Sequence, residues 1–344
     1  MGQYFRKWLE KEKLITKNYQ PLNDEIRFYS NSMQRTIATA KFFSAGLFPV
    51  ANTNIEYHMN LNTMDPVFTP QFTFMNDEYK EAAIKEINNL FSDKIKSLEE
   101  NYKLLEKVID LKDSKDYKES KITEFKADDT IYDFKNFNEP KMSGSLKLAC
   151  SVSDALVLQY YEEKDEYKAA FNHNLSYNDW EKIAKIKDVY GDVLFTAPSV
   201  AYNVSNPLLR EINNELENDN RKFSFLCGHD SNIGSVLKAL DVLDYNLPKA
   251  IEKTTPIGSK VVFSLWNDDK DNSYVSLNLV YQTVEQLRNI SILDLDNNPG
   301  IINLKLKNIN QNRDGLYEYN DIITRFNESI LQYDLLKQKY HIYD

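Results

Sequence analysis

Cysteine is almost missing: Cys150 and Cys227 are the only two in 344 residues. They lie far apart, each inside an apolar segment, so a disulfide framework is not indicated and two buried thiols are expected. No zinc centre can be assembled from them. Histidine is nearly as scarce, and His58, His173, His229 and His341 show no metal-ligand pairing such as His-Glu-x-x-His. Chemistry is therefore expected from side chains alone, and no cofactor is implied. No run of about 18 apolar residues exists to span a membrane. The opening Met1-Gly2-Gln3-Tyr4-Phe5-Arg6-Lys7-Trp8-Leu9 lacks the apolar stretch of a signal peptide, and Arg6 stands where a myristoylation signal wants Ser or Thr. As written, nothing exports or anchors the chain. Excess positive charge is also lacking: Lys+Arg 42 against Asp+Glu 52 gives a net charge of -10, which opposes tracking a nucleic-acid backbone. Neither nucleic acid nor membrane is an expected partner, and the sequence is silent on oligomeric state.

What is present fits a folded globular protein, with 42% hydrophobic residues and 12% aromatics. The length favours two structural regions. Residues 3 to 15 carry apolar side chains at helical spacing. A short strand pattern at Glu25-Ile26-Arg27-Phe28-Tyr29 leads through Ser30-Asn31-Ser32 into a helix from Met33 to Phe43, ending near Gly46. Residues 53–77 read as loop. From Glu78 to Leu111 the period is helical, with Ile84, Ile87, Phe91, Ile95, Leu98, Tyr102, Leu105 and Ile109 as a core stripe. The stretch 112–140 is charged and reads as a loop or lid. Further helices are expected from Leu146 to Glu162, Tyr177 to Gly191, and Pro198 to Asn218 with an interruption at Pro207. Strand patterns follow at Phe223 to Cys227, Lys260 to Trp266 and Tyr274 to Tyr281. The order predicts an α/β domain, residues 1–52 and 190–344, carrying an inserted helical cap at 53–189.

One stretch concentrates chemistry. Gly228-His229-Asp230-Ser231-Asn232 follows the apolar run Phe223 to Cys227 and precedes a helical pattern from Ile233. A strand turning into a helix aims backbone N–H groups and the positive helix end at one small volume, which suits an anion. His229 there is a hydrogen-bond donor to phosphate, and Asp230 a candidate general acid for a leaving oxygen. The alternative is a core histidine beside an ordinary N-cap. Arg35 falls in the first turn of the other strand-to-helix junction, where the helix dipole disfavours a cation, so it is either functional or an exposed arginine without a partner.

Together these residues resemble a known family. Asn31-Ser32-Met33-Gln34-Arg35-Thr36-Ile37-Ala38-Thr39-Ala40, Thr63-Met64-Asp65-Pro66, Leu158-Gln159-Tyr160-Tyr161-Glu162, Gly228 to Asn232, Thr255-Pro256-Ile257-Gly258 and Glu285-Gln286-Leu287-Arg288-Asn289 occur in the order found in the histidine acid phosphatases. The resemblance is greatest to the bacterial glucose-1-phosphatase branch, relatives of the phytases. It implies a histidine-phosphatase-like sheet flanked by helices, and two-step hydrolysis of a small-molecule phosphate ester through a phosphohistidine. By motif match, Arg35 and His229 bind phosphate and Asp230 donates the proton. Glu162 matches a glutamate by the substrate entrance, with a helix-end surface carboxylate as the alternative, and Met64 and Asp65 lie in a segment that could line the pocket.

The sequence also departs from the family. The signature Arg-His-Gly-x-Arg-x-Pro, or Arg-His-Asn, is absent, and His58, His173 and His341 cannot replace it, since none follows an arginine or a strand pattern. The chain begins inside the family pattern, so the nucleophile, its neighbouring arginines and the first strand are expected to be missing. Their loss would leave an apolar slot beside the surviving strands. The branch's cysteine pairs are missing as well, which suits a reducing setting, although the family is periplasmic or secreted. The readings that follow are a fragment of an acid phosphatase, a truncated homologue that binds phosphate esters without turnover, and a decayed gene product.

Overall fold

The computed structural model describes residues 1–342. It opens with α1 (Gly2–Lys11), β1 (Ile26–Ser30) and α2 (Gln34–Leu47). A largely helical block follows: α3 (Asp77–Lys96), α4 (Glu99–Val108), the short α5 (Lys115–Lys118), a hairpin of β2 (Ile131–Asp133) and β3 (Lys141–Ser143), α6 (Ser145–Glu162), α7 (Glu166–Ala169), α8 (Tyr177–Phe195) and α9 (Pro198–Leu216). The chain then alternates again through β4 (Phe223–Cys227), α10 (Asp230–Ala239), β5 (Lys260–Asn267), β6 (Ser273–Tyr281), α11 (Val284–Arg288), β7 (Gly300–Asn303), β8 (Tyr317–Glu318) and α12 (Tyr319–Lys339). The expected α/β architecture with a helical block in its middle is present.

β1 and β4 run parallel, in register from Ile26 opposite Phe223 to Ser30 opposite Cys227. β5, β6 and β7 form an antiparallel sheet to which β8 adds at β6. The two sheets occupy one layer. Phe223 and Phe225 of β4 share a cluster with Val262 of β5 and Val280 of β6, packed on α1 and α2. Leu226 of β4 shares the opposite cluster with Val261 and Phe263 of β5, packed on α9, α10 and α12. Yet β4 pairs only with β1, and β5 only with β6, among the described residues. The layer is interrupted between them, and most of β4 and the first half of β5 are half-buried where a continuous sheet would bury them.

Several sequence expectations change in detail. The helix expected to end near Gly46 ends one residue later, at Leu47, with Gly46 as its penultimate residue and not its cap. Gly46 lies where α1 crosses: a methyl on Gly46 would stand 3.1 Å from Gly2 Cα, and one on Gly2 would stand 2.3 Å from the Phe43 carbonyl oxygen. Both glycines serve close approach, not turn formation. α9 runs through Pro207 without a break, held by packing against α10 and α12. The single pattern from Glu78 to Leu111 divides into α3 and α4 at Ser97–Leu98. The segment 112–140 contains α5 and β2, and α12, which had no sequence counterpart, packs on α9. Cys150 and Cys227 are both free and buried, as expected. Burial pushes their thiols up, to about 12 for Cys150 and about 11 for Cys227. No described helix is long and apolar enough to cross a membrane.

Candidate active site

Parallel pairing of β1 and β4 puts their C-terminal ends side by side, and each strand turns directly into a helix. Ser30 lies opposite Cys227, and the Asn31 amide donates to the Cys227 carbonyl at 2.9 Å. The first turns of α2 and α10 are thereby brought together, which is how Arg35 meets His229 across 194 positions of sequence. Gly228 permits the tight turn. A methyl there would lie 2.4 Å from Asn232 Oδ1, the atom that accepts the His229 backbone N–H at 2.8 Å.

The imidazole of His229 is oriented by Asn31. Asn31 Nδ2 stands 2.7 Å from Nε2, and the Asn31 amide cannot be flipped because its Oδ1 accepts the Asp65 N–H at 2.9 Å. Asn31 therefore donates, Nε2 accepts, and in the neutral ring the proton sits on Nδ1. Burial lowers the His229 pKa, with the Arg35 charge acting the same way. Arg35 Nη2 lies 3.3 Å from that Nδ1. A guanidinium and an Nδ1–H are both donors, so they cannot satisfy each other. Two converging donors at a helix N-terminus form a seat for an anion.

Asp230 is the first residue of α10 and half exposed. Its Oδ1 accepts the Ser231 N–H at 2.9 Å, and its Oδ2 lies 3.3 Å from Lys187 Nζ on α8. Glu139, just before β3, is raised above the ordinary carboxylate range by burial; the Lys141 and Arg35 charges oppose the rise and that of Asp230 adds to it.

The other expected pocket residues separate. Met64 reaches the site indirectly, its Sδ 3.1 Å from Asn31 Nδ2. Asp65 is buried and spent on structure: its carboxylate accepts the Tyr29 hydroxyl at 2.9 Å and the Val67 N–H at 2.9 Å, ordering the Thr63–Thr69 turn. Glu162 is exposed at the last position of α6, eight residues beyond Asp154, a helical distance of about 12 Å. The remaining histidines hold other posts. His58 lies against Tyr29 and pairs with Glu56, His173 pairs with Asp110, and His341 follows α12. Sequence reasoning assigned no role to Asn31, Lys187, Glu139 or Asp154. Asn31 was at least visible as a polar residue at a strand-to-helix turn; the other three come from the helical block, where only the fold reveals which way they face. No group of three or more potential metal ligands occurs among the described residues.

The paired strand-turn-helix junctions thus bring an arginine and a histidine together with an aspartate beside them. Comparison with known proteins gives the class to which the fold belongs. Residues 1–280 match the histidine phosphatase superfamily (branch 2), and the chain belongs to that family. It is 36% identical over 327 residues to a glucose-1-phosphatase of Providencia rettgeri, covering 93% of this chain and 78% of the relative. It is 37% identical over 312 residues to a glucose-1-phosphatase of Salmonella typhimurium, covering 89% and 75%. Among solved structures, the phytase from Citrobacter braakii superposes with a TM-score of 0.83 at 23% identity, over 96% of this chain and 86% of that one, which shows a shared fold.

Proposed function

We propose that this site binds a small-molecule phosphate ester, a sugar phosphate such as glucose 1-phosphate or an inositol phosphate, and that it is the phosphate-binding part of an acid phosphomonoesterase site. The observation that carries the reading is the pair of converging donors, Arg35 Nη2 and His229 Nδ1, 3.3 Å apart. A phosphoryl group seated there would lie beside Asp230, whose carboxyl is placed to protonate a leaving oxygen. The transition state of phosphoryl transfer spreads charge over equatorial oxygens, so fixed donors aimed at those oxygens lower the barrier. Residues 53–189 act in this reading as the cap that delimits the substrate, contributing Glu139, Asp154 and Lys187 to the rim.

The second half of the chemistry, a histidine that attacks phosphorus, has no candidate among His58, His173 and His341. The family's attacking histidine follows an arginine at a strand end, and none of these three follows an arginine. We therefore propose that the present chain binds phosphate esters without turning them over. The alternative in which it serves as a binding protein in its own right rests on the same donors. The test is incubation with p-nitrophenyl phosphate and glucose 1-phosphate under mildly acid conditions, following released phosphate. No release above the uncatalysed rate is expected; turnover abolished by Asp230→Asn would overturn the assignment of the missing nucleophile.

A further inference from the structure

Lys187 reaches the site from the helical block. It lies on α8 with its side chain 18% exposed, and its Nζ is 3.3 Å from Asp230 Oδ2 and 3.5 Å from Asp154 Oδ1. Burial alone would strip a lysine of its proton more readily, but the carboxylates around it, Asp230 foremost and then Glu252 and Asp154, more than reverse that effect and raise its pKa. The side chain is thus a fixed cation strung between α6, α8 and α10.

Its consequence lies in what Asp230 does to its surroundings. Asp230 follows His229 directly, so its carboxylate stands beside the Arg35–His229 seat and repels any anion that approaches. The carboxyl is held at both oxygens: Oδ1 by the Ser231 N–H at 2.9 Å, Oδ2 by Lys187. The first contact sets its place on α10; the second offsets part of its charge. Asp154 anchors Lys187 from α6 at the same time, so Nζ is already occupied by two carboxylates. We propose that Lys187 is a positioning residue that acts through Asp230, fixing the carboxyl and offsetting its charge so that a phosphate ester can occupy the seat alongside. This inference rests on the phosphate-ester reading.

The test is a double-mutant cycle on the full chain, reading the affinity for inorganic phosphate by calorimetry, with melting curves to confirm folding. Asp230 is half exposed, which limits the worth of the ion pair to that of a partly screened one. Lys187→Met should weaken phosphate binding about fivefold, whereas Lys187→Arg should stay within about twofold of the parent. In an Asp230→Asn background, Lys187→Met should change the affinity less than about twofold, because the charge it offset has gone. Lys187→Gln, one atom shorter but still a hydrogen-bond donor, removes the charge with a polar side chain and serves as the second variant if the methionine one does not fold. An equal loss in both backgrounds would show that Lys187 meets the anion itself and would overturn the proposal, as would an unchanged affinity in the single variant. Absence of saturable phosphate binding by the parent protein would overturn the phosphate-ester reading itself, and this inference with it.

Discussion

Replacing Gly228 by alanine tests whether the turn that carries His229 is as closely packed as its geometry indicates. The added methyl would lie 2.4 Å from Asn232 Oδ1 and 3.0 Å from Phe68 Cδ1. Both neighbours are buried, Asn232 at 5% exposure and Phe68 at 0%. The amide of Asn232 must move, and the His229 N–H then loses the partner it now has at 2.8 Å. An unsatisfied buried donor costs about 1–3 kcal/mol. Displacing Phe68 from a filled core adds about 1–3 kcal/mol. With 344 residues and an unfolding entropy of about 2.1 cal/mol/K per residue, each kcal/mol shifts the midpoint by roughly 1.4 °C. Gly228→Ala should therefore lower the melting temperature by about 3–8 °C in scanning calorimetry. Gly191, inside α8, is the internal comparison: a methyl there meets nothing within 4 Å. Gly191→Ala should raise stability by about 0.5–1 kcal/mol through helix propensity and reduced freedom of the unfolded chain. A Gly228→Ala protein that melts within a degree of the parent would refute the reasoning, and so would equal losses at both positions.

Other perturbations address the surroundings of the site. Asp188 is fully buried against the Lys253 N–H at 2.7 Å and the Thr254 hydroxyl at 2.8 Å, and burial raises its carboxyl to about 6. A carboxyl whose folded value exceeds its unfolded value near 3.9 makes the folded state bind more protons between the two, so its contribution to stability falls as pH rises from about 4 to about 6. Asp188→Asn should flatten the dependence of melting temperature on pH in that window; an unaltered slope would show that Asp188 does not titrate there. Cys150 and Cys227, buried with raised thiol values, should resist alkylation by iodoacetamide in the folded protein at neutral pH and react readily once unfolded. Stoichiometric labelling of the native chain by mass spectrometry would contradict their burial.

Much of the fold could be read from sequence because its central strands are short apolar runs bounded by turn residues. β1 and β4 fall within a residue of expectation, and so do the helices α6 and α9 at their starts. What failed depends on tertiary contact. Gly46 marked the helix end to within a residue, yet the sequence did not show that the approach of Gly2 from another helix requires a glycine there. Pro207 carries that of a break, yet packing of α9 on its neighbours maintains the helix. α12 buries only Ile322, Arg325, Phe326 and Ser329 along 21 residues, a stripe too narrow and too polar to stand out. In the site, Arg35, His229 and Asp230 were legible because each sits at a strand-to-helix junction. For Asp65, expected at the pocket wall, nothing local reveals that Tyr29 and Val67 bond its oxygens. Lys187 could not be read at all: its partners lie 33 and 43 positions away, on α6 and α10.

The central claim is that Arg35 and His229 form one anion seat. Titration calorimetry with glucose 1-phosphate on the parent protein, on Arg35→Met and on His229→Ala tests it directly. The parent should bind saturably and more tightly as pH falls, because His229 is held neutral by burial and by Arg35 in the empty site and gains from its proton once an anion is present. Each substitution should weaken binding by about tenfold or more, as expected for loss of a charge-assisted hydrogen bond worth about 1.5–3 kcal/mol. Saturable binding that both variants retain at full strength would contradict the account.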